Sequence, residues 1–262
     1  MPAVAPNRSH RLPLLKGTLA VLAAGAPWLL SPGAAAQGLD PRKALTQFKL
    51  DVWTTAEDLP QNSVTALVQT RDGYVWLGTY GGLGRFDGVR FTVFDTGNTP
   101  QLRSNGILAL LEDGQGALWI GTNGGGLSRF HDGRFTTFTS ADGLPNDIVR
   151  ALYEDREGSL WIGTNDGLCR LRDGRFTTYT IKDGLASGFV RAIGEDEGGV
   201  LWIGTNGGGL SRFQSGRFTT FTAADGLSGP SSVAVSGRTV YVTSAAYATG
   251  ADPNLLMAHL GR

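Results

Sequence analysis

A twelve-residue segment recurs through the chain, and its third copy reads EDREGSLWIGTN at residues 154–165. Each copy has a tryptophan followed by Leu or Ile and then by Gly-Thr, and these tryptophans are 43, 42 and 41 residues apart. They are Trp76, Trp119, Trp161 and Trp202. A repeat of about 42 residues that is rich in turn-forming Gly and Asp is typical of a propeller blade or a solenoid unit.

Turn residues divide the third repeat into four predicted strands, at 147–154, 159–164, 168–172 and 175–180. The last two strands are joined by Asp173-Gly174, a pair that tolerates positive φ at both central positions of a tight hairpin. Leu160-Trp161-Ile162 does not alternate apolar with polar residues, which indicates a strand buried on both faces. Four antiparallel strands stacked between neighbouring sheets make a propeller blade. The sequence therefore predicts an all-β fold, a β-propeller with four clear four-stranded blades.

The repeats assign most of the chain to these blades and to a degenerate fifth. The clear repeats occupy about residues 59–101, 102–143, 144–184 and 185–226, and the fifth occupies 227–262. In the fifth repeat, Tyr241 stands in the place of the tryptophan, and strands are predicted at 233–235, 239–243 and 255–260.

A spare outer strand is predicted ahead of the first blade, at residues 48–55 (FKLDVWTT). Pairing of this strand with the fifth repeat would close a five-bladed ring and would protect both sheet edges. The alternative is a fragment of a larger propeller, because the fifth repeat is degenerate and residues 245–250 match nothing in the other repeats. Both interpretations stay open at this point.

The N-terminal 36 residues are predicted to be a secretory signal peptide. An apolar run at 17–30 precedes Ala34-Ala35-Ala36 and follows three basic residues, Arg8, Arg11 and Lys16. The run of about 14 residues is shorter than the ~20 that a membrane-spanning helix needs, and an uncleaved anchor is the alternative. Cleavage after Ala36 would leave a linker at 37–47, the propeller at 48–262, and a periplasmic or secreted chain without a membrane span.

Composition and motifs exclude several classes of function. The 23 Lys and Arg balance the 23 Asp and Glu, which argues against a nucleic-acid-binding protein. The sequence has no phosphate-binding or dinucleotide fingerprint, so no cofactor is expected. His131 and His259 lack metal-ligand spacing. Cys169 is the one cysteine, and it replaces a serine of the other repeats, so we interpret it as a small packed residue rather than a nucleophile.

Two segments carry a resemblance to a known family. Residues 154–165 and the stretch WIGTNGGGLSRF at 119–130 resemble the two-component regulator propeller repeat, and the resemblance covers about residues 48–227. It implies a propeller, usually of seven blades, that lies outside the inner membrane. Such propellers are the sensor parts of histidine kinases, hybrid two-component systems or diguanylate cyclases, and some recognise glycan fragments. No kinase or cyclase domain is recognisable in this sequence.

Repetition itself separates structural from functional residues. A residue type present in every repeat serves the blade, so the four tryptophans are predicted to be core. The same reasoning makes a catalytic role improbable for Glu112, Glu154 and Glu195, which also repeat. The Asp-x-x-Gly turns lack the alternating oxygen ligands of a calcium loop, and we interpret them as plain turns.

Residues that depart from the repeat are the candidates for ligand binding. The Asn-Gly turn that follows Gly-Thr becomes Tyr80-Gly81 in the first repeat and Asn165-Asp166 in the third. The residue after the first Val or Ile of the innermost strand is arginine in two adjacent blades, Arg150 and Arg191. These two guanidinium groups could bind an acidic ligand. The alternative is that both arginines are solvated rim residues paired with nearby Asp or Glu.

The sequence therefore predicts an extracytoplasmic ligand-sensing propeller of a two-component-type system, with a possible small-molecule or glycan-fragment ligand and a possible inner-membrane signalling partner. It is not expected to be an enzyme. A periplasmic protein-interaction scaffold is the first alternative, because propellers offer broad faces for binding. A propeller lyase or glycosidase is the second alternative, although no pair of carboxylates stands out from the repeats as glycosidase chemistry requires.

Overall fold

Four antiparallel sheets of four strands follow one another along the chain. The structure is a computed structural model that describes residues 51–225, 230–236, 239–244 and 255–259. In every sheet the strands lie side by side in chain order. The first sheet contains β1 (Val64–Gln69), β2 (Val75–Thr79), β3 (Leu83–Phe86) and β4 (Phe91–Phe94), and the second contains β5 (Ile107–Glu112), β6 (Leu118–Thr122), β7 (Leu127–His131) and β8 (Arg134–Phe138). The third contains β9 (Val149–Glu154), β10 (Leu160–Thr164), β11 (Leu168–Arg172) and β12 (Arg175–Tyr179), and the fourth contains β13 (Val190–Glu195), β14 (Leu201–Thr205), β15 (Gly209–Gln214) and β16 (Arg217–Phe221). The predicted all-β fold with four clear four-stranded blades is confirmed.

The strand ends in the third blade differ from the predicted ones by at most two residues. β9 begins at Val149 rather than Asp147, because the Asp147 carbonyl accepts hydrogen bonds from Gly124 and Gly126 of the preceding blade. β12 ends at Tyr179 because Thr180 already caps a short 3-10 turn. The hairpin between β11 and β12 has positive φ at both Asp173 and Gly174, as the Asp-Gly pair predicts.

Each blade packs its tryptophan face against the leucine and isoleucine face of the next blade. Between the third and fourth blades, Trp161 and Leu168 lie in one cluster with Val190, Leu201 and Ile203. The same arrangement joins the first blade to the second, the second to the third, and the fourth to the fifth sheet. The second strands are therefore buried on both faces, which explains why they do not alternate apolar with polar residues.

The fifth sheet is described in three strands, β17 (Pro230–Ser236), β18 (Thr239–Ser244) and β19 (Leu255–His259). A register shift near the start of β17 pairs Pro230 with Ser244, as a shift near the start of β13 pairs Val190 with Thr205. Tyr241 lies three residues before Ser244, and Trp202 lies three before Thr205, so Tyr241 does hold the place of the tryptophan. Its neighbours in β18 are buried against the fourth blade.

The predicted outer strand at 48–55 needs a correction in its described part. Residues 51–54 are in no strand, and Thr55 begins a 3-10 turn. The turn forms because Thr54 and Glu57 make a capping box, in which the backbone N–H and the hydroxyl of Thr54 both donate to the Glu57 carboxylate. Trp53 packs edge-on against Phe91 of the first blade.

The rest of the N-terminal prediction lies outside the described residues, including the signal peptide at 1–36, the linker at 37–47 and residues 48–50. The chain divides into two compact units, Met1–Asp51 and Val52–Arg262, and Asp51 is the described part of the first. The choice between a closed five-bladed ring and a fragment of a larger propeller stays open. In the described ranges, no helix combines the length and apolar character needed to cross a membrane.

Candidate functional site

The first strand of each sheet lies innermost, because each one contacts the first strand of the next sheet: β1 with β5, β5 with β9, β9 with β13 and β13 with β17. In each antiparallel pair the start of the first strand lies beside the end of the second strand, as Val149 pairs with Thr164. We call this end of the molecule the entry rim. It comprises the residues at and just before the start of each first strand, together with the loop after each second strand.

All five predicted ligand-binding residues lie on the entry rim. Tyr80, Asn165 and Asp166 are in loops that follow second strands, and Arg150 and Arg191 are the second residues of β9 and β13. Each arginine occupies a β-bulge, because the pairing register shifts between Val149 and Ala151 and again between Val190 and Ala192. A bulge residue is unpaired in the ladder, and bulges commonly redirect a side chain. The bulges therefore place these arginines at the inner mouth of the propeller.

The arginines converge on one aromatic ring that the sequence reasoning missed. The Cζ atom of Arg150 lies 4.8 Å from the ring centroid of Phe189, and the Cζ atom of Arg191 lies 4.7 Å from the same centroid. Both are cation–π contacts at short range. The residue directly before the first strand is Ser63, Gly106, Ile148 or Phe189 in the four repeats, so the rule that selected the arginines, departure from the repeat, could also have selected Phe189.

Asn165 orients the guanidinium of Arg150. The Arg150 Nε–H donates to Asn165 Oδ1 at 2.5 Å. Asn165 is itself fixed, because its backbone N–H donates to the Ile148 carbonyl at 3.2 Å. The corresponding backbone bond in the next blade joins Asn206 N–H to the Phe189 carbonyl at 2.8 Å. These bonds hold the loop, the bulge and the aromatic residue in one arrangement.

The electrostatic environment of Arg150 is unfavourable for a cation. Burial lowers the pKa of the Arg150 guanidinium, the charge of Arg191 lowers it further, and Tyr80 has the opposite effect. Among the described residues, neither arginine forms an ion pair with a carboxylate. The ion pairing that the alternative interpretation expects is therefore absent among the described residues, while Arg191 does lie exposed on the rim.

Tyr80 and Asp166 lie on the same rim with fewer contacts to the arginines. The Tyr80 side chain is half exposed, and its backbone N–H donates to Gln61 Oε1 at 3.0 Å. Asp166 is exposed next to Gly188, and its backbone N–H donates to Thr164 Oγ1 at 3.1 Å. Of the five predicted residues, Arg150 is thus joined to Asn165 by a hydrogen bond and to Arg191 through the ring of Phe189. Tyr80 and Asp166 are neighbours on the same rim.

The residues present in every repeat have structural partners. All four repeat tryptophans are buried, and three of them donate from the indole Nε1–H to an aspartate of the preceding Asp-x-x-Gly turn. These bonds are Trp119–Asp113 at 2.8 Å, Trp161–Asp155 at 2.7 Å and Trp202–Asp196 at 3.0 Å. The other carboxylate oxygen of each aspartate accepts backbone N–H groups of the turn. The turns are therefore organised by their own hydrogen bonds.

The repeated glutamates tie each blade to the one before it. Glu154 at the end of β9 accepts the backbone N–H of Gly114 in the second blade at 2.6 Å. Glu112 and Glu195 accept the backbone N–H groups of Arg71 and Arg156 in the same way. These contacts give each carboxylate a structural role.

Among the described residues, Cys169 and His131 belong to no cluster of metal-ligating side chains. Cys169 is buried against Leu160 and Ile162, and burial raises the pKa of its thiol. His131 lies on the outer hairpin of the second blade with its Nε2 atom 3.5 Å from the Asp132 carboxylate. Within the part of the chain that the structure describes, no group of three or more His, Cys, Asp or Glu side chains could hold a metal ion.

The four repeats match the sequence profile of a known protein family. The sequence profile of the two-component regulator propeller matches residues 58–81, 101–124, 143–166 and 184–207. These four segments are two-component regulator propeller repeats. Each matched segment includes one repeat tryptophan and the start of the loop that follows the second strand. A search of curated protein sequences found no match.

Solved structures with the same fold include domains of signalling proteins. The chain is 25% identical to the extracellular domain assigned to a hybrid two-component system of B. thetaiotaomicron, with a TM-score of 0.61, over 73% of this chain and 28% of that one. A second such domain from B. thetaiotaomicron is 20% identical with a TM-score of 0.56, over 71% and 28% of the two chains. The chain thus spans about 28% of the length of these extracellular domains.

An enzyme shares the fold as well. Virginiamycin B lyase from Staphylococcus aureus is 18% identical with a TM-score of 0.55, over 70% of this chain and 64% of the lyase. At this level of identity the likeness shows the fold alone. The propeller architecture is therefore common to sensor domains and to a lyase, and the site residues must decide between them.

Proposed function

We propose that this protein is an extracytoplasmic ligand-sensing propeller module of a two-component-type signalling system, which binds its ligand at the entry rim. The binding event would be passed to an inner-membrane signalling partner. The likeness to extracellular domains of hybrid two-component systems supports this assignment. So does the predicted signal peptide, since it would carry the propeller to the periplasm or beyond.

One observation carries the proposal: several residues that depart from the repeat lie together at one end of the propeller. Arg150, Arg191 and Phe189 meet there, and Asn165 holds Arg150 in place. The repeated residues, in contrast, are engaged in holding blades together. A ligand site needs chemistry that is unique to one place, and the entry rim of the third and fourth blades supplies it.

Binding can be tested directly on the purified protein. A library of sugars, amino acids, nucleotides and small organic acids would be screened for a rise in the thermal unfolding temperature, since a ligand that binds the folded state alone stabilises it. The proposal predicts a stabilising ligand whose effect is lost in Asn165→Ala and kept in Arg175→Ala, a control at the exposed outer hairpin of the same blade. A stabilising ligand whose effect is the same in both variants would overturn the entry-rim assignment.

The alternatives predict different results in the same material. A protein-interaction scaffold would show no response to the library and would capture one soluble protein partner reproducibly. A lyase or glycosidase would convert a lactone or glycan substrate, and that turnover would overturn the assignment as a sensor.

Export can be tested by sequencing the N-terminus of the protein recovered from the periplasm of a Gram-negative host. Cleavage after Ala36 predicts that the mature chain begins at Gln37. Recovery of the intact N-terminus in the membrane fraction would show an uncleaved anchor instead.

A further inference from the structure

The cluster of Arg150, Phe189 and Arg191 holds two positive charges, and neither arginine forms an ion pair with a described carboxylate. The Cζ atoms of Arg150 and Arg191 lie 4.8 Å and 4.7 Å from the ring centroid of Phe189. The distance between the two Cζ atoms is therefore at most the sum of these two distances. Two like charges in this arrangement repel each other, as the effect of Arg191 on the pKa of Arg150 indicates. A bound anion in contact with both groups would offset this repulsion.

The free hydrogen-bond donors of the cluster point to the chemistry of that anion. Arg150 uses its Nε–H for Asn165, and its terminal nitrogens have no hydrogen-bond partner among the described residues. The Arg191 guanidinium is exposed, and its described contact is with the face of Phe189. Terminal guanidinium N–H groups match the paired oxygens of carboxylate, phosphate or sulfate groups.

The other blades do not offer the same group at this position. The equivalent bulge residues are Thr65 in the first blade and Leu108 in the second. The Thr65 hydroxyl donates to the Ile107 carbonyl of the next blade at 2.6 Å, so it serves the contact between blades. Of the bulge residues in the four described four-stranded sheets, those of the third and fourth are therefore the positively charged ones.

The backbone of Phe189, whose ring contacts both arginines, is held by hydrogen bonds at its N–H and at its carbonyl. The Phe189 N–H donates to Ser187 Oγ at 3.3 Å, and the Phe189 carbonyl accepts from Asn206 N–H at 2.8 Å. A fixed ring under two guanidinium groups limits their freedom and lowers the entropy lost when they bind a ligand.

We propose that Arg150 and Arg191, supported by Phe189 and Asn165, bind an oxyanion group of the ligand at the entry rim. The ligand is acidic, and it carries a carboxylate, phosphate or sulfate group. This inference rests on the proposed function, because it names the chemistry of the ligand that the same site would recognise.

The test is calorimetric titration of the purified protein with three probes: citrate, inorganic phosphate and sulfate. The proposal predicts saturable binding of at least one probe. Comparison of the three titrations distinguishes a carboxylate site from a phosphate or sulfate site. Arg150→Ala and Arg191→Ala are each expected to weaken that binding by about tenfold or more, since a hydrogen bond to a charged group is worth about 1.5–3 kcal/mol and 1.4 kcal/mol is a factor of ten. Phe189→Leu keeps both charges and is expected to weaken binding by a smaller factor.

A matched control removes the same charge elsewhere. The variant Arg175→Ala deletes one arginine, as each test variant does, from the exposed outer hairpin of the third blade. Its affinity for the probe should equal that of the unmodified protein. Equal weakening in this control would show binding through net charge alone and would overturn the proposal.

The remaining outcomes separate this inference from the proposed function. Saturable binding of a neutral ligand at the entry rim, with no binding of the three anions, would overturn the oxyanion inference and leave the sensor assignment standing. Failure of every anion and of every library ligand would overturn both. The thermal unfolding temperatures of the arginine variants, measured without ligand, verify that each variant is folded.

Discussion

The hydrogen bond between Trp161 and Asp155 offers a sharp test of how the blades are held together. Trp161 and Trp76 hold equivalent places and are equally buried, at 1% and 3% exposure. Trp161 donates to the Asp155 carboxylate at 2.7 Å. In the first blade Thr70 occupies the place of that aspartate, because its N–H bonds to the Tyr74 carbonyl as Asp155 N–H bonds to Ser159. Trp76 therefore has no carboxylate acceptor from its turn.

Replacing each tryptophan by phenylalanine removes a similar apolar volume but breaks the indole–carboxylate bond in one blade alone. A hydrogen bond to a charged group contributes about 1.5–3 kcal/mol. Trp161→Phe should therefore lower the free energy of unfolding by about 1.5–3 kcal/mol more than Trp76→Phe does. The apolar losses are matched at the two sites, so the difference between the variants isolates the bond.

Urea unfolding followed by circular dichroism measures this difference, and the denaturant slope shows whether the variants unfold as one unit. Asp155→Asn in both the unmodified and the Trp161→Phe backgrounds completes a double-mutant cycle that gives the coupling energy of the pair. Equal loss of stability in Trp161→Phe and Trp76→Phe, with no coupling to Asp155, would refute the role assigned to the turn aspartates.

Two further predictions concern the junctions between blades. Hydrogen bonds from the backbone and hydroxyl of the capping threonines lower the pKa of Asp142 and Asp183 below the ordinary aspartate value. A carboxylate whose pKa is lowered in the folded state stabilises the fold at pH values above its unfolded pKa. This stabilisation is lost as the pH falls through the folded pKa. The free energy of unfolding should therefore fall between pH 7 and pH 3, and this fall should be smaller in the Asp142→Asn, Asp183→Asn double variant. An equal fall in the double variant and the unmodified protein would contradict the capping role. Glu154→Ala breaks the hydrogen bond to Gly114 of the preceding blade and should lower the free energy of unfolding in urea by about 1 kcal/mol. Glu157→Ala breaks an exposed ion pair and should lower it by less. A larger loss in Glu157→Ala than in Glu154→Ala would contradict the role of Glu154 between blades.

The strand pattern of this chain was predictable because it depends on local and periodic signals. Asp173-Gly174 specifies its hairpin by backbone preference alone, and β11 begins and ends where the sequence predicts. The position of Tyr241 followed from counting along the repeat and is confirmed by the strand register. Periodicity also distinguished residues that serve every blade from those that serve one place.

The partners of individual side chains were not predictable in the same way. Glu154 was recognised as a repeated residue, but its acceptor role for Gly114 joins positions in different blades. The convergence of both arginines on Phe189 depends on two bulges and on the stacking of adjacent blades. The predicted strand at 48–55 failed at Thr54 and Thr55 because a local capping box with Glu57 competes with strand pairing there.

The central claim is that residues outside the repeat pattern form an acidic-ligand site at the inner mouth of the propeller. The most direct measurement is an anomalous difference map from crystals of the protein soaked in selenate, a tetrahedral oxyanion whose selenium can be located independently of the protein. The account predicts the selenium peak within hydrogen-bonding reach of the Arg150 and Arg191 guanidinium groups, and its absence from crystals of a double variant that combines Arg150→Ala with Arg191→Ala. An empty entry rim in crystals that bind selenate elsewhere would contradict it.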